Sequence, residues 1–367
     1  MKIQVGRNEL LGALQSVIGV VERRQTLPVL ANFLLEVSED VLTVIGTDLE
    51  MELVGRARVQ NLAPGKTTVP ARKLFDICRG LPEGAEVSLE QSGDKVLLKS
   101  GKSRFSLSTL KPDEFPSMGA ATAAASEVKL KRGELKQLLE RTQFAMAQQD
   151  VRYYLNGLLL DVAPSRLRAV ATDGHRLAFS ELKRDTGVSI AQQVILPRKS
   201  IIELSRLLDA TDEEVVLVLS PGQAVIDIDT VRLTTKTIDG RFPDYERVIP
   251  ENGDKHVLAD REQLRKALAR TAILSNEKFR GVRLLLEEGT LKLQTHNPEH
   301  EEAEEEVEVN YSGPSIEIGF NVNYLMDALG VMHSEQVALE LKNAESSGLL
   351  HEAEDRSSKY VIMPMRL

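Results

Sequence analysis

Tryptophan is absent from this chain, cysteine occurs once, and aromatic residues make up only 4% of it. A core with so few aromatics must be built from Leu, Val, Ile and Ala, and the 42% hydrophobic content is enough for that. One cysteine cannot form an internal disulfide, so the expected compartment is the reducing cytoplasm. Cys78 lies in the helical pattern Leu74, Phe75, Ile77, Cys78, Leu81 with no activating motif around it, which reads as a buried, inert thiol. No window approaches about 18 uninterrupted apolar residues, so no membrane span is expected. The N-terminus lacks the form of a secretory signal. Leu10, Leu11, Leu14, Val17, Ile18 and Val21 follow helical spacing, Asn8 is a candidate N-cap, and Glu22-Arg23-Arg24 replaces a small-residue cleavage site.

Motifs for chemistry are also missing. There is no G-x-x-x-x-G-K-[ST] phosphate loop and no G-x-S-x-G elbow. The six histidines show no zinc-like spacing; His296 and His300 stand four apart but lack a third ligand. No cofactor or metal is therefore expected. Thr172-Asp173-Gly174-His175-Arg176 has the look of a catalytic loop, with His175 as a general base and Asp173 as its orienter. Adjacent residues rarely converge on one substrate, however, and Gly46-Thr47-Asp48-Leu49 keeps the Thr-Asp without the His. The expectation is a protein that is not an enzyme.

What is present is an internal repeat. Three apolar helix patterns share their offsets: Leu10/Leu14/Val17, Leu135/Leu139/Thr142 and Leu264/Leu268/Thr271. A strand-like run follows each, at Asn32–Val37, Asn156–Val162 and Gly281–Leu286. Gly46-Thr47-Asp48-Leu49, Ala171-Thr172-Asp173-Gly174 and, more weakly, Gln294-Thr295-His296-Asn297 come next. A second helix starts after Val69-Pro70 and Leu196-Pro197, where proline suits a first turn, and at Phe320-Asn321 in the third copy. Alternating strands follow at 86–89, 215–219 and 336–341, and Phe115-Pro116 and Phe242-Pro243 mark equivalent exits. Each copy reads helix, strands, helix, strands, an α+β unit. The low-complexity stretch 119–126 and the turn-rich 250–254 divide the chain into expected domains 1–125, 126–253 and 254–367.

The net charge of −9 argues at first against a nucleic-acid partner, but distribution matters more than the sum. Windows around the six helices (7–24, 71–80, 131–148, 197–208, 261–280 and 320–333) total +10, which leaves −19 elsewhere, and five of the six are positive. Helices gathered on one surface would attract phosphate without reading bases. Solvated amphipathic helices are the plainer alternative.

Several strings strongly resemble the β subunit of bacterial DNA polymerase III, the sliding clamp. They are Gly46–Glu52, Asp150–Gly157, Ala171–Ala178, Asp239–Tyr245, Leu274–Gly281 and the terminal Tyr360–Leu367, and the resemblance runs the length of the chain. It implies three repeated DNA-clamp domains in a head-to-tail homodimeric ring, with inner helices and outer antiparallel sheets. The implied function is to encircle double-stranded DNA without sequence preference and to tether the replicative polymerase, conferring processivity. Implied partners are the polymerase III catalytic subunit, the clamp loader, and other polymerases and repair proteins that insert short Gln- and Leu/Phe-containing segments. A repeat-built interaction scaffold without DNA encirclement is the alternative.

The resemblance also assigns residues. A head-to-tail contact needs complementary ends. Lys95, Lys99, Lys102 and Arg104 surround Phe105 and Leu107 in the first copy, with Lys73 nearby. The third copy has an acidic run that includes Glu299, Glu301, Glu302 and Glu305. Phe105 and Leu107 would pack against Ile273 and Leu274, flanked by ion pairs that fix orientation. A peptide cleft would be walled by Leu155, Thr172, Gly174, His175, Arg176, Leu177, Pro243, Arg247 and Val248. Its other side would be Asn321, Tyr324, Ser347 and the tail Val361, Ile362, Met363, Pro364, Met365 and Arg366. Leu, Val, Pro and Met make an adaptable apolar pocket in which Arg and His orient the ligand. For DNA, Arg24, Arg72, Gln149, Tyr153 and Tyr154 match the family's contacts. The two tyrosines would stack on bases, or else pack before a strand.

Overall fold

The computed structural model describes residues 1–22, 27–119, 126–251 and 253–366. The three copies follow one order of elements: a strand, a helix, four strands, a second helix and three strands, with one additional strand (Gln60–Ala63) in the first copy. The helices are α1 (Arg7–Val17), α2 (Ala71–Gly80), α3 (Arg132–Glu140), α4 (Arg198–Leu207), α5 (Arg261–Thr271) and α6 (Val322–Gly330). The repeated apolar offsets are the buried faces of α1, α3 and α5, since Leu10, Leu14, Val17, Leu135, Leu139, Leu264 and Leu268 are all in the core. Thr142 and Thr271 take the place of Val17 and are fully buried. Their hydroxyls donate back to Leu138 O (2.7 Å) and Ala267 O (2.8 Å), so a polar side chain is tolerated on an apolar stripe.

Three expectations about helix ends are corrected. Asn8 lies inside α1, whose N-cap is Gly6 without a side-chain bond. Pro70 and Pro197 end the preceding strands instead of sitting in the first turn, and Pro70 is the N-cap of α2. The odd-numbered helices stop early, at Val17, Glu140 and Thr271, and each gives way to a short 3-10 turn (Ile18–Val20, Gln143–Ala145, Ala272–Leu274). In contrast, Asn321 caps α6 as expected, its side chain accepting from Asn323 N. With these shorter helices the charge segregation narrows. The six carry +6 and leave −15 elsewhere, and the excess comes from α2 and α4 (+2 each) and α5 (+3), whereas α1 and α3 are neutral.

The chain forms two compact units, residues 1–133 with 202–237, and residues 134–201 with 238–367. The second copy is shared between them, because sheets run across copy junctions. In the first unit, Met51–Arg58 of the first copy pairs with Val231–Lys236, the last strand of the second. In the second unit, Arg176–Lys183 of the second copy pairs with Ser358–Ile362, the last strand of the third. These pairings build an eight-stranded and a twelve-stranded antiparallel sheet. The exit phenylalanines anchor equivalent places: Phe115 packs with Val29, Leu30 and Leu34, and Phe242 with Leu159, Val170 and Tyr245.

A rule of pairing follows. The third strand after the first helix of one copy takes the last strand of the next copy as its neighbour. Applied to the chain ends, the rule leaves two strands over. Ser103–Ser108, the last strand of the first copy, is hydrogen-bonded on one side only among the described residues. On the far side of Glu302–Asn310, in the third copy, only Val309 and Asn310 pair with another strand among the described residues.

Candidate functional site

The loop between Arg166–Thr172 and Arg176–Lys183 is held by its own side chains. Thr172 Oγ1 donates to Arg176 O (2.5 Å) and accepts from Gly174 N (3.1 Å). Asp173 Oδ1 accepts from His175 N (2.9 Å) and Arg176 N (3.1 Å), and its Oδ2 accepts from Arg176 Nε (3.1 Å). Asp173 is thus occupied in shaping a turn, which is why it does not orient the exposed His175 as a base. Gly174 has a φ of +89°, a left-handed conformation that glycine adopts without strain. A Cβ there would meet Arg152 Nη1 at 2.8 Å.

Arg176 is the hub of the site. Its guanidinium also donates to Asp327 Oδ2 (2.6 Å) and Phe144 O (2.9 Å), and lies 4.4 Å from the Tyr324 ring centroid and 5.2 Å from that of Phe144. Arginine suits this place because one planar fork bonds several acceptors and still stacks on aromatic faces. Burial raises the pKa of Tyr324, so its hydroxyl stays neutral beside the guanidinium. Beyond the last strand, the tail runs past the loop, with Met363 N donating to His175 O (2.9 Å) and Met365 N to Gly319 O (2.8 Å). Residues of the second and third copies thereby converge on Arg176 and its loop.

The structure sorts the expected cleft residues by depth. Leu155, Thr172, Leu177, Val361 and Ile362 are buried, so they back the site and do not form its accessible wall. The reason is strand alternation and the pairing of Leu177 with Val361 in the sheet interior. The accessible set is His175, Arg247, Val248 (44% exposed), Met363 (49%) and Arg366, with Gly174, Arg176, Pro243, Asn321, Tyr324, Ser347, Pro364 and Met365 half-buried. Sequence reasoning missed Arg152, Phe144 and Asp327. The Asp150-x-Arg152 spacing was a signal for the first, since Asp150 takes both Nε and Nη2 of Arg152, which holds its pKa down at about 2. The other two are joined to Arg176 only by folding.

Models of the DNA polymerase III beta subunit match the chain three times, as its N-terminal domain at residues 1–119, its central domain at 129–244 and its C-terminal domain at 246–366. This chain belongs to the DNA polymerase III beta subunit family. The beta sliding clamp of Pseudomonas aeruginosa is 53% identical over 368 residues and that of Escherichia coli strain K12 is 50% identical over 369, each pair matched over 100% of both chains. Among solved structures, the P. aeruginosa beta subunit superimposes with a TM-score of 0.96 at 53% identity, and the Caulobacter crescentus pol III beta with 0.93 at 41%, again over 100% of both chains. A P. aeruginosa sliding clamp bound to griselimycin gives a TM-score of 0.97 at 53% identity. Sliding clamps are processivity factors, and among the described residues no helix is long and apolar enough to cross a membrane.

The family's other expected surfaces can be located. Arg24 lies outside the described residues. Arg72 is exposed at the start of α2, where its Nη2 donates to Val21 O (2.7 Å). Gln149 sits in a loop closed by Asn156, which accepts from Asp150 N (2.9 Å) and donates to Asp150 O (2.8 Å). The two tyrosines part company: Tyr153 is 57% exposed, whereas Tyr154 packs against the core cluster of Phe242 and Tyr245.

At the two leftover strands, Lys73, Lys95, Lys102 and Arg104 are exposed on one unit, with Phe105 at 36%. Glu299, Glu301 and Glu302 are exposed on the other, with Ile273 at 75% and Leu274 half-buried. Leu107 is a correction: opposite Val96 in the sheet, it is buried in its own unit. Glu305 is already engaged, by a two-pronged bond from Arg270 (2.6 and 2.8 Å) that lowers its pKa.

Proposed function

We propose that two copies of this chain pair head to tail through these strands and close a ring around duplex DNA, tethering a replicative polymerase to its template. The observation that carries the reading is the pairing rule. At the internal junctions Met51 stands opposite Thr235, and Arg176 opposite Ile362. The corresponding residues of the leftover strands are Glu302 and Leu107. Continuing that register puts Glu304 opposite Phe105 and Glu305 opposite Arg104 of the second chain. The contact has opposite charge on its two sides and an exposed apolar residue on each, as a heterologous interface needs. The two leftover strands are edges open to open-ended association, and closing a ring pairs both of them.

The three domains of this reading are 1–125, 126–253 and 254–367. Basic α2, α4 and α5 face the DNA and hold it by phosphate attraction alone, so the ring slides. Arg24, Arg72, Gln149 and Tyr153 touch the strands, and Tyr154 supports Tyr153 from beneath. The depression around Arg176 takes short extended segments of the polymerase catalytic subunit, the clamp loader and repair proteins. The chain performs no reaction and works in the cytoplasm, its contribution being effective concentration. Retention on nicked circular DNA tests this directly. Loaded protein should remain on the circle and run off once the DNA is linearised; equal retention on both would favour a scaffold that does not encircle DNA.

A further inference from the structure

The cleft around Arg176 has an unassigned counterpart inside the first unit. The loop 47–51 repeats the loop 172–176 in four hydrogen bonds, without the Arg176 Nε bond to Asp173. Thr47 Oγ1 donates to Met51 O (2.8 Å) and accepts from Leu49 N (3.1 Å), and Asp48 Oδ1 accepts from Glu50 N (3.0 Å) and Met51 N (2.8 Å). Lys236 N donates to Glu50 O (2.9 Å), as Met363 N does to His175 O. Pro116 occupies the place of Pro243, and Gln223 that of Ser347. These residues enclose a groove of about 480 Å³ whose apolar lining includes Leu49, Pro116 and Met118.

Two features separate this groove from a mere echo of the repeat. Leu49 holds a φ of +76°, where the corresponding residue of the other loop is Gly174, and a non-glycine residue in this region is an outlier. Its side chain is nevertheless 39% exposed, so burial does not compensate for the conformation. The turn bonds at Thr47 and Asp48 hold this conformation, and they leave the Leu49 side chain presented at the groove. The rim is also different. Lys236 Nζ is paired with Glu50 (2.9 Å), and Met51, fully buried, replaces the Arg176 hub.

We propose that the groove lined by Leu49, Pro116 and Met118 is a second peptide-docking site on each chain. Its occupant is the same class of extended partner segment that enters the Arg176 cleft, held here by one bulky apolar side chain. This second site rests on the proposed role of the Arg176 cleft as a peptide site, because the shared hydrogen-bonded frame is what carries the occupant over. Lacking the arginine hub and the Met363–Arg366 tail, the second groove binds more weakly. Its place is to hold a flanking segment of a partner already anchored on the ring, where local concentration offsets low affinity.

Methyl spectra of the full-length protein, labelled at the methionine methyl groups, separate the two sites. Met118 reports on this groove, and Met363 and Met365 report on the cleft. The probe is an acetylated peptide Gln-Ala-Ala-Leu-Phe. Met363 should saturate first, and Met118 should shift along its own isotherm at a peptide concentration about tenfold or more higher. Leu49→Asp should abolish the Met118 shift while leaving that of Met363 intact, and Asp is at home in left-handed backbone, so the loop is retained. A Met118 signal that stays still while Met363 titrates to saturation overturns the second site and leaves the cleft standing. Silent Met363 and Met365 would count separately against the cleft itself.

Discussion

Arg176 shows how one side chain can hold a site together. Half-buried, it bonds two carboxylates and a carbonyl and stacks on Tyr324, so removing it strands acceptors from both adjoining copies. Arg176→Ala should lower stability by about 2 kcal/mol and weaken peptide binding; Arg176→Lys should recover little, because an ammonium has no fork. Chemical denaturation beside a fluorescent-peptide titration checks both. Glu52 offers a test with the opposite sense. It is buried, and desolvation raises its pKa, while its carboxylate accepts from Met118 N (3.1 Å). A carboxyl whose folded pKa lies above its unfolded value loses stability as pH rises through the folded pKa. Glu52→Gln should therefore melt at least as high as the parent near pH 8, and its advantage should shrink on acidification. A variant that is less stable than the parent at every pH would show that the charged form is favoured where it sits.

At the scale of elements, the decisive piece is the last strand, Ser358–Ile362, which lies between Arg176–Lys183 and Gly348–Glu352. Its interior position explains why the tail beyond it is presented at a fixed place: two backbone bonds, at Met363 and Met365, lead it past the loop. Deleting Met363–Leu367 leaves that strand intact. The expected result is a melting temperature lowered by only a few degrees with peptide affinity lost, since about two hydrogen bonds disappear while the apolar anchor goes. Undiminished binding would move the cleft elsewhere. The loop 149–153 is a second such element, held out by Asn156. Asn156→Ala should release it and reduce DNA retention without altering dimerisation.

For the molecule as a whole, the two leftover strands make assembly a prediction about edges and charge. Ile273→Ala combined with Leu274→Ala, or Phe105→Ala alone, should weaken the dimer by about 1–3 kcal/mol, seen in sedimentation as a larger monomer fraction. Glu305→Lys is more specific, because it breaks the bond with Arg270 and places like charges opposite Arg104 in the derived register. Dimers of unchanged stability in all three would reject that register. Salt should speed ring opening only modestly, since rim pairs set orientation and encounter more than they hold the complex closed.

The repeat, the apolar faces of its helices and the Thr-Asp loops were legible from sequence, because periodicity and turn chemistry are local and each copy restates them. Helix length was less so. Leu10/Leu14/Val17 mark a buried face but not where it stops, and the 3-10 turns that end α1, α3 and α5 depend on what packs beyond. Sequence also determined charge, and with it the opposed basic and acidic ends. Only the tertiary structure decided which residues of the expected cleft are reachable. Leu177 and Val361 are apolar and belong to the strings that mark the site, yet their pairing inside a sheet buries them, whereas Phe144 and Asp327 join Arg176 only through folding. Only the structure, too, revealed that Leu49 and Gly174 share one backbone conformation. The shared Thr and Asp hold the hydrogen-bond frame in both loops, while the three residues after them all change.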